Sequence, residues 1–69
     1  MRIRLLNDGC YWGLEDVEFP VEVQAEDRHT GYCDVTTDEL CRVGGDPTVL
    51  DDPDNQTWPF GPESWEAVE

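Results

Sequence analysis

VEFPVEVQAED, residues 17–27, decides the fold class, because apolar and polar side chains alternate along it with the period of a strand. Phe19, Val21, Val23 and Ala25 face one way. Glu18, Glu22, Gln24 and Glu26 face the other, so the stretch predicts one extended strand with an acidic outer face. Pro20 sits on that polar face and has no N–H to give to a ladder, which places the strand at the edge of a sheet or at a bulge.

The flanking sequence supplies the remaining elements. Residues 1–6, MRIRLL, alternate in the same way and predict a strand with Ile3 and Leu5 inward and Arg2 and Arg4 outward. Asn7-Asp8-Gly9 tolerates positive φ and turns the chain into the aromatic loop Cys10-Tyr11-Trp12-Gly13. A polar turn over residues 27–31 leads to a third short strand over residues 32–35. Thr36 with Glu39 has the spacing of a capping box, predicting one helical turn that carries Leu40 and Val43 inward and stops at Gly44-Gly45. Residues 46–57 are rich in acids and proline and read as a loop; the tail, from Trp58-Pro59-Phe60 to Val68, returns aromatics to the core and closes the sheet with a last strand.

Sixty-nine residues make a single small domain with a thin core. The pattern predicts a mainly β chain: a small, SH3-like, strongly bent antiparallel sheet or partly open barrel of about five strands with one short helical turn. A three- or four-stranded antiparallel sheet with a loose acidic tail is the competing arrangement.

Seventeen acids against four bases leave a net charge of −13. Such a chain repels nucleic acid and anionic membranes and attracts basic protein surfaces. All four bases are arginine, a bias that a high-GC or halophilic host would also produce, so a compositional origin of the acidity is the alternative to a functional one. The start MRIRLLNDG lacks the apolar run and cleavage site of a signal peptide, and no stretch reaches membrane-spanning length. Cys10, Cys33 and Cys41 are odd in number and follow no CxxC spacing, which points to free thiols in a reducing cytoplasm.

No catalytic constellation is visible. His29 is the only histidine and sits in a polar turn without a nucleophile at a recognisable spacing. Joined to the three cysteines it does not give the paired-ligand spacing of a zinc site. The carboxylate cluster Asp51, Asp52 and Asp54 fails the calcium-loop pattern: counted from Asp52, the required glycine and glutamate positions hold Thr57 and Glu63, and counted from Asp54, Pro59 and Trp65. The expectation is therefore a protein that is not an enzyme and needs no cofactor or metal.

What remains is the acidic face. Neighbours on one face of a strand stand about 6.6 to 6.8 Å apart, close to two steps of the rise of duplex DNA, so carboxylates can stand where phosphates would. Glu18, Glu22 and Glu26 would form such a track, widened by Asp34, Asp38, Glu39, Asp51, Asp52 and Asp54. The plainer expectation for the strand is that Glu18 and Glu22 pair with Arg2 and Arg4 across neighbouring strands, each pair contributing about 0.2 to 1 kcal/mol. Tyr11 and Trp12, set between glycines, are core lining or a contact point for a protein partner.

RIRLLNDGCY (residues 2–11), FPVEV (19–23) and DELCRVGGD (38–46) resemble a class of short bacteriophage open reading frames, over about the first two-thirds of the chain. The class includes small acidic inhibitors of host defence, such as anti-CRISPR and anti-restriction proteins, some of which imitate DNA; this chain lacks their long acidic helices. The resemblance implies a phage-encoded inhibitor acting in the host cytoplasm, monomer or homodimer, that binds a basic host protein in its nucleic-acid groove. A structural or housekeeping small barrel is the alternative.

Overall fold

The computed structural model describes every residue except Asp52, Asn55 and Glu69. Strand β1, Arg2–Leu5, is the middle of a first antiparallel sheet. It pairs on one side with β2, Val21–Gln24, matching Ile3 to Val23, and on the other with β6, Trp65–Ala67, matching Ile3 to Ala67. Its alternation is as the sequence dictates: Ile3 and Leu5 are wholly buried, and the arginines point out.

The second sheet is built from β3, Glu26–Asp27, β4, Cys33–Thr36, and β5, Thr57–Phe60, with β4 central and both pairings antiparallel. Only Ala25 separates β2 from β3, so the two sheets share one bent strand, while β5 and β6 do not pair with each other. The result is the expected small, strongly bent antiparallel fold. One expectation is corrected, because residues 17–27 are not a single straight strand. Ala25 accepts a hydrogen bond from the Met1 amino group at 2.8 Å, and its N–H donates to the Met1 carbonyl at 2.8 Å. These bonds are the last rung of the β1–β2 pairing, and beyond it the chain enters the second sheet, so Glu22 and Glu26 belong to different sheets.

Helix α1, Thr37–Arg42, starts where the capping box places it, with the Thr36 hydroxyl accepting from the Glu39 N–H at 3.2 Å. It buries Leu40 against the sheets. The acidic stretch expected to be a loop contains a second helix, α2, Pro47–Leu50. The Asp46 carboxylate accepts from the Thr48 N–H at 2.9 Å, Pro47 occupies the first turn, where a missing N–H costs nothing, and Leu50 is buried. A 3-10 turn, Trp12–Leu14, packs on α2, with the Asp46 N–H donating to the Gly13 carbonyl at 2.8 Å. Ile3, Leu5, Leu14, Val23, Cys33, Val35, Leu40, Leu50 and Phe60 close the core between these layers.

The sequence places Pro20 at a sheet edge, and β2 is one. That edge is covered by two side chains of α1. The Gln24 N–H donates to Glu39 at 2.8 Å, and the Arg42 guanidinium donates to the Glu22 carbonyl at 3.1 Å and to Glu39 at 2.9 Å. Hydrogen bonds from Arg42, and after them the one from Gln24, hold the Glu39 carboxyl below the usual glutamate range. A carboxyl whose pKa falls on folding adds stability above its unfolded value of about 4.3, and that stability is lost as pH falls through the folded value. The stability of the natural chain relative to Glu39→Gln is therefore expected to rise with pH through the acid range. The gain should be about 0.5 to 1 kcal/mol, or a few degrees of Tm. Thermal melts at pH 3 to 7 measure it, and a difference independent of pH would refute the role given to this carboxylate.

Candidate functional site

Each of the four arginines meets an acid, three of them at the sheets and the fourth, Arg42, within α1. Arg2 meets Glu22 at 3.7 Å, Arg4 meets Glu66 at 2.6 Å, Arg28 meets Asp34 at 3.6 Å and Arg42 meets Glu39 at 2.9 Å. The expected pairing of Glu18 and Glu22 with Arg2 and Arg4 holds for Glu22 with Arg2 alone. Arg4 turns instead to Glu66 on β6, its direct cross-strand partner. Glu18 precedes β2 and is exposed, with no arginine beside it among the described ion pairs.

The helical segments carry further acids without such a partner among the described ion pairs. The 3-10 turn, the loop that follows it, α1 and α2 are drawn together by Gly13 against Leu50, by Gly44 beside Val17 and by the bond from Asp46 to Gly13. These segments carry Glu15, Asp16, Glu18, Asp38, Asp46 and Asp51, all exposed, and none forms a described ion pair with an arginine. Burial first, and then the charges of Asp38, Asp51 and Asp46, push the Cys41 thiol pKa up. Burial likewise raises Cys33, ahead of Asp27. Both thiols stay protonated at neutral pH, a poor starting point for nucleophilic chemistry.

Tyr11 and Trp12 part company. The Tyr11 ring stands edge-on to Trp58 and to Phe60, with centroids 5.1 and 5.3 Å away, and its hydroxyl donates to the Pro59 carbonyl at 2.6 Å. Trp12, the next residue, is 82% exposed. It opens the 3-10 turn that packs on α2, and Val49 of α2 is also exposed. Trp12 is thus a large uncovered aromatic on segments that also carry exposed acids.

The remaining sequence-predicted residues fall elsewhere. Glu26, Asp34 and Glu39 line an open groove of about 180 Å³ at the strand bend, with Thr36 and Thr57. Asp34 faces Arg28 with one oxygen and buries the other without a partner among the described residues. Asp51 and Asp54 are exposed beyond α2, and Asp52 lies outside the described residues. The track of Glu18, Glu22 and Glu26 is not assembled, because the strand bends and Arg2 occupies Glu22. Glu15, Asp16 and Asp46 belong with the exposed acids of the helical segments although the strand pattern did not mark them. The Asp46-Pro47 pair, a helix-start signal, is the feature that pointed to the last.

His29 is exposed at positive φ, its N–H donating to Asp27 at 2.8 Å. Among the described residues no three His, Cys, Asp or Glu side chains are grouped to hold a metal ion, and no helix is long and apolar enough to cross a membrane. No family model matches the chain, and no curated protein or solved structure matches it significantly.

Proposed function

We propose that this chain is a non-enzymatic binding protein whose helical segments occupy the basic nucleic-acid groove of another protein, a CRISPR effector or restriction enzyme of the host, and so keep nucleic acid out. One observation carries the reading: the helical segments that bear the exposed Trp12 also bear six exposed carboxylates, none of them in a described ion pair with an arginine. The acids provide the attraction and orientation that a cationic groove rewards. Trp12 provides the large, stiff anchor that interface centres favour. A standard interface covers about 800 Å² per partner, under a fifth of the 4472 Å² surface of this chain, so one side of it suffices.

The acids act here through their combined field, not through a phosphate-like spacing along one strand. Inhibition of DNA binding by a purified Cas effector or restriction endonuclease should weaken about tenfold or more between about 50 and about 500 mM salt. Trp12→Ala should weaken it about thirtyfold, by about 2 kcal/mol. Combined Glu15→Gln, Asp16→Asn and Glu18→Gln should flatten the salt dependence, whereas Glu66→Gln on β6 should not. Inhibition indifferent to salt and to Trp12 would overturn the proposal.

A further inference from the structure

A second cleft, about 520 Å³ in volume, lies between the turn after β1 and the turn that joins β5 to β6. Asp8, Tyr11, Tyr32, Pro59, Gly61 and Glu63 are among the residues that line it, and none of the lining residues is a base. We infer that this cleft is an arginine-binding site, taking a guanidinium from an extended segment of the basic partner, stacked on Tyr32 and held by the carboxylates of Asp8 and Glu63. The inference rests on the reading of the partner as basic and adds which of its side chains is recognised, and where.

The walls are set before any ligand arrives. Tyr11 is fixed by its bond to the Pro59 carbonyl at 2.6 Å and by its edge-on contacts with Trp58 and Phe60. Tyr32 is 46% exposed and lies over the bare backbone of Gly61, where a Cβ would stand 3.6 Å from its ring. The turn beneath is held by Asn7 and Asp8, whose side-chain oxygens accept from the Gly9 and Cys10 N–H groups, each at 2.9 Å. That bond uses Oδ1 of Asp8 and leaves Oδ2 for a ligand.

Two carboxylates and no base exclude a phosphate or a carboxylate as the occupant and select a cation. An exposed aromatic face beside them favours a planar one, because a guanidinium stacks on a ring while its edge reaches a carboxylate with two parallel N–H donors, which an ammonium cannot do. The cleft is joined to the 3-10 turn through the chain. Tyr11 lines it, and Trp12 follows Tyr11 in the chain.

The probes are acetylated, amidated pentapeptides Ala-X-Ala-X-Ala in which X is arginine, lysine or citrulline, titrated into the isotope-labelled full chain and followed by amide chemical shifts. The arginine peptide should move Gly9, Tyr32, Gly61 and Ser64, bind about three- to fivefold more tightly than the lysine peptide, and lose its effect when citrulline replaces arginine. Tyr32→Leu should abolish the preference for arginine over lysine. Glu63→Gln should weaken the arginine peptide about threefold, with an unchanged fold by circular dichroism. Shifts spread over Glu15, Asp38 and Asp51 with equal affinity for arginine and lysine would mean diffuse attraction only and would overturn the inference. So would a preference that survives Tyr32→Leu. The two proposals fail separately: salt- and Trp12-dependent inhibition without arginine-specific shifts removes the cleft alone. Arginine-specific shifts without inhibition remove the groove-blocking reading and leave the cleft standing.

Discussion

Phe60→Ala is expected to remove about 3 to 5 kcal/mol of folding stability and to leave little of the chain folded at 25 °C. The ring is 1% exposed and heads the fully buried side chains by volume. It lies opposite Cys33 in the β4–β5 ladder, edge-on to Tyr11, and within 3.0 Å of where a side chain at Gly9 would begin. Truncation opens a cavity at the joint between the second sheet and the turn after β1, and the surrounding wholly buried side chains have little freedom to collapse into it. A chain of this length has a total stability of about 3 to 10 kcal/mol, so one ring accounts for a large share of it. Urea denaturation followed by tryptophan fluorescence gives the answer. A midpoint shift worth less than about 1 kcal/mol would show that the ring is not the centre of the core.

Gly45→Ala is the second large effect, expected at about 3 kcal/mol. The residue is buried, and its N–H donates to the Leu40 carbonyl at 2.8 Å where α1 ends. A Cβ there would lie 2.6 Å from Leu50 Cδ1 and 2.7 Å from the Leu40 carbonyl oxygen. The leucine methyl has somewhere to go; the carbonyl belongs to the helix backbone and does not. Relief requires α1 and α2 to move apart, which loosens the helical segments before the sheets. Gly61→Ala, whose added carbon would meet Tyr32 at an ordinary 3.6 Å, serves as the control and should stay within about 0.5 kcal/mol. Denaturation curves for the pair, with amide exchange at Leu50, separate the outcomes; equal stability of the two variants would contradict the packing of α1 on α2.

How much of this was legible beforehand varies with the length scale of the cause. Ile3 and Leu5 alternate with arginines, and a period of two is a local property, so β1 could be read directly. Thr36 and Glu39 lie three apart, and the cap they announce is present. The break at Ala25 leaves no local trace, because the alternation runs through it undisturbed. It shows only in the pairing: Met1, 24 residues away, closes the last rung with Ala25, and the residues beyond pair with β4 instead. Helix α2 is too short for a hydrophobic period to show, and only its Asp-Pro start betrays it. The acidity was plain from the composition, but which carboxylates are left without an arginine was not. That depends on which acid each arginine reaches, and Arg4 reaches Glu66, 62 residues along the chain. Tyr11 and Trp12 are neighbours in sequence with opposite environments, a distinction set by the onset of the 3-10 turn.

The ion pair that lies along β2 also governs how these molecules meet one another. An open strand rim is a template on which a second chain can continue the ladder. With Glu39 and Arg42 seated on the backbone groups of Gln24 and Glu22, the first sheet has no template on that flank, and β6 is its remaining open border. A two-fold pairing of β6 with its own copy would use both copies of that border at once and so close on itself.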